Sequence, residues 1–320
     1  MIHKVGVIGL GVMGKYMFGA LIADPHFEVI GSWDLDVLQC QLIQQQYPDI
    51  AIAQSAEALV SREDIELVYI ATPPTTHVQY ASLAIDHGKA VLCEKPLAVD
   101  IQSSRRLVEK ARKSKIPNGV NFSLASSPEV EVIEKAIRDG ELGELTGIEI
   151  RFHFPQWPRA WQTAGNWLSQ REQGGFVREV FSHFAYITHR LIGPLMLKWS
   201  AVTYPDESNR SESYAIAEME CNGLSIHLTG GVGGAGLDHV EWTLYGTQRS
   251  YRFLNWGSLQ VGTNEGWEDV LGLDQAEDLQ LSALSHMLEG KPHSLPDFGV
   301  GLEVQELVES ILDYGSQSAL

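Results

Sequence analysis

Lys4-Val5-Gly6-Val7-Ile8-Gly9-Leu10-Gly11-Val12-Met13-Gly14 is the stretch whose reading decides the fold. A short apolar run ends in Gly-x-Gly-x-x-Gly, and a helical pattern from Val12 to Ile22 opens behind it. Strand, turn and helix in that order are the context a dinucleotide-binding turn requires. Gly9 permits the tight turn, Gly11 lets backbone approach a pyrophosphate with no Cβ in the way, and Gly14 lets the helix pack closely on the strand. Val12 and Met13 stand at the helix N-terminus, where unpaired N–H groups point outward toward phosphate charge.

Working outward, Phe27 to Trp33 reads as a second strand ending at Asp34, 20 residues beyond Gly14. An acidic residue at that distance accepts hydrogen bonds from the adenosine ribose hydroxyls. The carboxylate repels a 2′-phosphate, and Leu35 and Asp36 follow it rather than arginine, so NAD is favoured over NADP. Asp34 also reads as a cap for the helix that starts about there, and the two roles are compatible. A strand from Glu66 to Ile70 runs into Ala71-Thr72-Pro73-Pro74. Ligands gather outside the carboxyl ends of strands in a doubly wound sheet, which places Thr72, Pro73 and Pro74 at the cofactor's edge. His77 follows in the first turn of a helix to Gly88; read by itself it packs or caps. Lys89 to Cys93 is the next strand and leads into Glu94-Lys95-Pro96 at the same carboxyl edge. A helix from Asp100 to Lys115 and a strand from Pro117 to Asn121 complete a sheet of about six strands.

Composition narrows the function classes. A chain of 320 residues, 44% hydrophobic and 20% charged, suits two globular domains. These read as 1–121 for the dinucleotide and 122–320 for substrate binding and oligomerisation. The net charge of −18, from 41 acidic and 23 basic residues, argues against nucleic-acid or anionic-membrane partners, because neither meets a basic stripe. No apolar run has the length that spans a bilayer. The N-terminus enters a strand at once, so no export signal is expected. Cys40, Cys93 and Cys221 lie far apart without metal-type spacing, so the expectation is no bound metal and a reducing cytoplasm.

Gly9-Leu10-Gly11-Val12-Met13-Gly14, Ala71-Thr72-Pro73-Pro74 with His77, and Cys93-Glu94-Lys95-Pro96-Leu97-Ala98 occur in an order and spacing that resemble the Gfo/Idh/MocA family of NAD(P)-dependent oxidoreductases. The Glu-Lys-Pro signature is the most specific part, and the resemblance covers nearly the whole chain. It implies an α/β fold: an N-terminal Rossmann doubly wound parallel sheet, then an α+β domain with a large, open, mostly antiparallel sheet. Many members oxidise or reduce sugars, cyclitols and related polyols, while others act on different carbonyl or imine compounds. The resemblance extends the cofactor-binding set to His77 and Glu94.

Beyond Asn121, Pro128 to Asp139 reads as a helix and Gly147 to Phe154 as a strand. Phe152, Phe154, Trp157, Trp161 and Trp167 then fall within 16 residues. Broad aromatic faces suit the apolar face of a sugar ring, and make Trp157, Trp161 and Trp167 candidate substrate-binding residues. The alternative is a loop packed on its own domain or on a partner subunit.

Gly174-Gly175 opens a helix from Phe176 to Leu191. The resemblance assigns an acid and, four positions later, a histidine to it: Glu179 and His183, on one helix face. Periodicity alone predicts otherwise. Val177, Val180, Phe181, Phe184, Ile187 and Leu191 form the buried arc, leaving Glu179, Ser182, His183, Tyr186 and Arg190 as a solvated face. The functional reading of His183 therefore rests on the resemblance. The chain departs from the family pattern in several places. Glu179 stands where aspartate is usual and Phe181 where glycine is common. Tyr186, a candidate substrate contact, stands where aspartate often does. The arginine many members carry after the Asn121 strand is replaced by Ser123 and Leu124.

The rest reads as strands at Met196–Tyr204, Tyr214–Cys221, Leu224–Thr229, His239–Tyr245 and Ser250–Leu254, with closing helices at Leu273–Leu288 and Gly301–Tyr314. Gly230 to Gly236 reads as a flexible connection, not a second phosphate loop, because a strand follows it. One exposed apolar face of such a sheet would invite a homodimer or homotetramer.

The expected activity is hydride transfer between nicotinamide and a hydroxyl-bearing carbon of a sugar, cyclitol or related small molecule. His183 would be the general base in oxidation and the acid in reduction, an imidazole's ordinary pKa of about 6.5 suiting both directions. Lys95 would donate to the substrate oxygen. Glu179 would orient His183 or bind a substrate hydroxyl. Two rival readings stand beside it: a reductase of a non-sugar carbonyl or imine, favoured by the aromatic run and Phe181, and a non-catalytic dinucleotide-binding sensor.

Overall fold

The first strand, β1 (His3–Ile8), holds Val5, Val7 and Ile8 with no exposed surface in the computed structural model. The structure describes residues 1–162, 166–207, 209–273 and 279–317. Behind β1 come α1 (Val12–Ala23), β2 (Phe27–Trp33), α2 (Val37–Gln46), β3 (Ala51–Ile52), α3 (Ala56–Val60), β4 (Leu67–Ile70), α4 (His77–Asp86), β5 (Ala90–Glu94), α5 (Ile101–Ser114) and β6 (Asn118–Asn121). The six strands lie in the order β3-β2-β1-β4-β5-β6, and every pair is parallel. That order places a crevice where strand order reverses, between β1 and β4, beside the glycine turn. β4 and β5 are buried at every residue, as continuous apolar runs must be in a parallel sheet covered on both faces. α1 buries Gly14, Met17, Phe18 and Leu21, one face at helical spacing. Asp36, not Asp34, caps α2, accepting from Leu38 N at 2.9 Å.

The chain divides into two compact units. The first holds Met1–Phe122, and a later segment ending at Leu302 returns to it instead of staying with the second as expected. The reason lies at the sheet edge. Val120 N donates to Pro296 O at 2.9 Å and Phe298 N to Asn118 Oδ1 at 2.9 Å, covering the open hydrogen-bonding side of β6.

The second unit begins at Ser123. Its elements are α6 (Pro128–Arg138), β7 (Leu145–Phe154), α7 (Ser182–Ile192), β8 (Met196–Thr203), β9 (Tyr214–Cys221), β10 (Leu224–Val232), β11 (His239–Gly246), β12 (Ser250–Leu254), β13 (Ser258–Thr263) and β14 (Gly266–Asp269). They form an eight-stranded sheet, β14-β13-β12-β11-β7-β10-β9-β8, antiparallel except for the β7–β10 pair. Ile148, Ile150, Phe152 and Phe154 of β7 point to the buried face with Ile226 and Leu228 of β10 and Trp242 of β11. Two helices follow, α8 (Leu279–Leu288) in the first unit and α9 (Phe298–Gln317), whose part from Glu303 on belongs to the second. The sequence pattern predicts this α8 helix from Leu273; 274–278 lie outside the described residues, and β13 and β14 add two strands to those expected.

Two expectations are corrected here. Gly230, Gly231 and Val232 belong to β10 and not to a flexible connection, because they pair with Phe152, His153 and Phe154 of β7, and the Phe176 ring lies where a Cβ on Gly230 would sit. The helix carrying His183 has no solvated face: Ser182, His183 and Tyr186 are buried along with Val180, Phe181 and Phe184. It opens with a π-helical turn, Val177–Phe181, so the helical wheel that assumes 100° per residue drifts at its start. Its sheet side is pinned by Trp242, whose Nε1 donates to Thr188 Oγ1 at 2.8 Å. The other side is covered by α6, where Arg190 pairs with Glu134 at 2.6 Å.

Candidate functional site

In the first unit the glycine turn has the shape the spacing implies. Gly9 has φ of +95°, and an added Cβ would lie 2.5 Å from the Ala71 carbonyl group. A Cβ on Gly14 would collide with Gly9 O. Gly11 has nothing within 4 Å of its Cβ position. It caps α1 with no side-chain hydrogen bond, so the helix's first N–H groups keep their capacity for an anion. Val12 and Met13 are exposed at 53% and 41%, an apolar surface at the turn that a bound dinucleotide would cover. This open cradle fits NAD.

Asp34 stands at the end of β2 and fixes the turn: Oδ2 accepts from Leu10 N at 2.6 Å and Oδ1 from Asp36 N at 2.7 Å. Asp34 is half-buried. Pro74 opens a short 3₁₀ turn after β4, in which Thr76 Oγ1 donates to Thr72 Oγ1 at 2.8 Å or to Pro73 O at 2.9 Å. His77, wholly buried, joins the two turns the sequence singled out. Its Nε2 lies 2.7 Å from Thr72 O and its Nδ1 2.8 Å from Pro96 O. Burial pushes its pKa below the ordinary range, and a neutral ring donates to one carbonyl at a time. Glu94 is buried under the sheet's carboxyl edge, accepting from Tyr69 Oη at 2.6 Å and from Asn121 Nδ2 at 2.6 Å. Burial, and then the Glu94 charge, push the Tyr69 pKa well up. Lys95 follows, half-buried, before a cis bond to Pro96.

In the second unit the π-helical turn starts from a glycine cradle. Gly175 has φ of +99° and its missing Cβ leaves room for the Glu212 carboxylate, whose Oε1 accepts from Val177 N at 2.8 Å. Glu212 is 2% exposed and its Oε2 has no partner among the described residues. Burial pushes its pKa up to about 7, against a lowering pull from backbone N–H groups and Arg178. Arg178 is itself buried in a two-pronged pair with Glu309 of α9, at 2.6 and 2.7 Å.

His183 lies one turn into the helix, Nδ1 3.4 Å from Ser123 Oγ, with its ring edge-on to Trp256 at 5.4 Å. Glu179 Oε1 accepts from Gln162 Nε2 at 3.4 Å. Arg159 completes the cluster: Nε donates to Gln162 Oε1 at 3.0 Å, and the guanidinium lies 4.8 Å from the Trp161 ring centre and 5.9 Å from that of Trp256. Of the candidate substrate residues, Trp161 is 59% exposed and Trp167 half-buried. Trp157 is buried against Phe154 and Phe176, donating to Leu168 O at 3.0 Å. Tyr186 is buried near Arg190, and burial pushes its pKa up to about 12.

Arg159, Gln162 and Trp256 were not singled out from the sequence. A signal existed for one of them. Asn255 and Trp256 both take positive φ, +47° and +72°, in the tight turn between β12 and β13. Glycine is the usual occupant of the second such position, so a tryptophan held there is strained, and strain of this kind gathers at functional sites.

A doubly wound sheet with a glycine turn open to a dinucleotide, followed by a unit built on a large open sheet, defines a nucleotide-dependent two-unit protein. Residues 3–122 match the oxidoreductase family model with an NAD-binding Rossmann fold, and 130–252 match the GFO/IDH/MocA C-terminal domain. The chain belongs to the Gfo/Idh/MocA family, and its cofactor is NAD. It is 32% identical over 111 residues to 1-carboxy-3-chloro-3,4-dihydroxycyclohexa-1,5-diene dehydrogenase of Comamonas testosteroni (35% of this chain, 28% of that one). It is also 32% identical over 133 residues to 1,5-anhydro-D-fructose reductase of Ensifer adhaerens (41% and 39%). The matched stretch spans about half the length of most other curated relatives, 49 to 55%. Among solved structures, an oxidoreductase from Agrobacterium radiobacter in complex with NAD+, L-tartaric acid and magnesium superposes with a TM-score of 0.85 at 16% identity, covering 99% of this chain and 97% of that one.

Proposed function

We propose that the protein is an NAD-dependent oxidoreductase acting on a hydroxyl-bearing carbon of a sugar, cyclitol or related small molecule. The observation that carries this reading is the polar cluster of His183, Glu179, Gln162 and Arg159, gathered around one helix start and walled by tryptophan. The names of relatives, including 1,5-anhydro-D-fructose reductase and inositol 2-dehydrogenase, support the substrate class.

Bound NAD supplies the hydride acceptor. His183 takes the hydroxyl proton in oxidation and returns it in reduction. Trp256 and Ser123 orient its ring, and Glu179, tied to Gln162, orients His183 or binds a substrate hydroxyl. Lys95 donates to the substrate oxygen and stabilises its alkoxide character. Ordering by His77 of the Thr72 and Pro96 turns keeps the Lys95 segment in place.

The test is turnover with NAD across a panel of sugars, cyclitols and polyols, read by NADH fluorescence. Lys95→Ala and His183→Ala should each lower turnover at least about a hundredfold with NAD affinity unchanged. Unchanged turnover in either variant removes that residue from the reaction. We further infer that two copies associate through the outer face of the eight-stranded sheet. Trp199 and Tyr214 there are 40% and 41% exposed, and light scattering of the purified chain reads the assembly state.

A further inference from the structure

Arg159 is a guanidinium set among aromatic rings. Its guanidinium lies within 6 Å of four aromatic ring centres: Trp161 at 4.8 Å, Phe154 at 5.5 Å, Trp157 at 5.8 Å and Trp256 at 5.9 Å. Aromatic faces attract the cation and exclude water from it. Desolvation is otherwise unfavourable for an unpaired guanidinium. Arg159 forms no ion pair with any described residue; its Nε is used by Gln162, and its two terminal nitrogens make no hydrogen bond to the described residues. Burial accordingly pulls its pKa down, while Glu179 and Asp238 act on it only from beyond pairing distance.

Its place is the cluster already described. The Trp256 indole that flanks the guanidinium also meets the edge of the His183 ring, and Gln162 links Arg159 to Glu179. A planar fork whose terminal donors are unused among the described residues, set among rings beside His183 and Glu179, matches a carboxylate in both shape and charge. The charge count decides between anions. The two acidic residues that act on Arg159 from a distance, Glu179 and Asp238, oppose a phosphate dianion more strongly than a carboxylate, which brings half the charge.

We propose that Arg159 is the specificity-determining residue of this site, and that the substrate is a hydroxy compound carrying a carboxylate, as in a sugar acid or a small hydroxy acid. The assignment rests on the oxidoreductase reading for the reacting hydroxyl, but not for the anion itself.

The experiment is calorimetric titration of the full chain saturated with NADH, using matched pairs: D-glucose and D-glucuronate, D-galactose and D-galacturonate, glycerol and D-glycerate, with D-glucose 6-phosphate as the phosphate arm. At least one acid should bind ten times or more tighter than its neutral partner. Arg159→Met should abolish that preference with NADH affinity and melting temperature unchanged, and Arg159→Lys should restore only part of it, because an ammonium lacks the fork. The comparison within the wild-type protein stands even where a variant fails to fold. Equal binding of acid and neutral partners, no binding of any acid, preference for the phosphate, or an acid preference that survives Arg159→Met overturns the proposal. An acid that binds through Arg159 but is never oxidised or reduced retires the oxidoreductase reading and leaves this one standing.

Discussion

The two units of the chain were written in different physical languages. In the first, the site is made by backbone: Gly9 with φ of +95°, Gly14 packed on Gly9 O, and a helix N-terminus without a side-chain cap. In the second it is made by side chains, with His183, Glu179, Gln162, Arg159 and Trp256 brought from a helix, a loop and a hairpin turn. Backbone requirements restrict which residue types can stand at a position, so they leave a local pattern in the sequence. Side-chain constellations assembled from distant segments leave none.

The sharpest way to break that contrast is Gly14→Ala. The new methyl group would overlap a backbone carbonyl that cannot swing aside, so strand and helix must separate. The expected outcome is a protein that has lost NADH binding and melts far below wild type, read by fluorescence titration and a thermal scan. Wild-type affinity in this variant would show that the close approach is not needed.

Next in size is the buried pair of the second unit. Glu309→Ala leaves Arg178 charged among groups it cannot replace, which should cost about 3–5 kcal/mol in urea unfolding. The double variant Arg178→Met/Glu309→Leu should recover most of the loss, because burying two charges was itself unfavourable. A double variant no better than the single one would mean that Arg178's bonds to Arg171 O and Gly174 O matter more than its charge pair.

What the sequence disclosed follows the same division. Strand β1, the glycine turn, the Asp34 spacing and the order of six parallel strands were all legible, since each follows from local pattern and from rules of connection. The cap of α2 was misplaced by two residues because Asp34 and Asp36 carry the same signal and only Asp36 faces the helix start. Hydropathy failed on α7. An amphipathic wheel presumes one wet face, yet α6 covers the side opposite the sheet, so polar residues there are buried and hydrogen-bonded. The π-helical turn shifted the phase as well. Arg159 could not be found by any periodicity, because its surroundings come from β7, the loop after it and the turn after β12.

Glu212 sharpens the comparison through pH. Its carboxyl titrates near 7 when folded, above an ordinary 4.5, because burial disfavours the charge. A raised folded pKa means that the native state holds its proton while the unfolded chain releases it. Its contribution is therefore fully present below about pH 4.5 and is lost as pH rises to about 7. Glu212→Gln removes that loss without removing the acceptor for Val177 N. It should gain on wild type across this window, by up to ~3 kcal/mol at pH 8, as an order of magnitude for a shift of this size. Arg178, Glu309 and Tyr204 are the charged or titratable groups that act on it, so the measurement belongs in the otherwise intact chain. A difference between variant and wild type that stays constant from pH 4.5 to 8 would remove Glu212 as a proton-linked group.

The smallest effect on stability is the most informative about the first unit. Gly11 and Gly14 belong to one motif, yet the structure separates them: a Cβ on Gly11 meets nothing within 4 Å. Its φ of −70° is open to any residue, and its side of the turn faces outward. Gly11→Ala should therefore melt within a few degrees of wild type, since glycine's advantage over alanine at such a cap is about 1 kcal/mol and a chain of this size shifts by about 2–4 °C per kcal/mol. Its NADH affinity should still fall about tenfold or more, because the methyl group occupies the path by which pyrophosphate reaches the backbone. Set beside Gly14→Ala, which loses fold and cofactor together, the pair assigns one glycine to the protein's own packing and the other to the ligand. If Gly11→Ala keeps its affinity, the dinucleotide approaches the turn from another side, and the first unit would then owe its binding to the helix N-terminus and Asp34 alone.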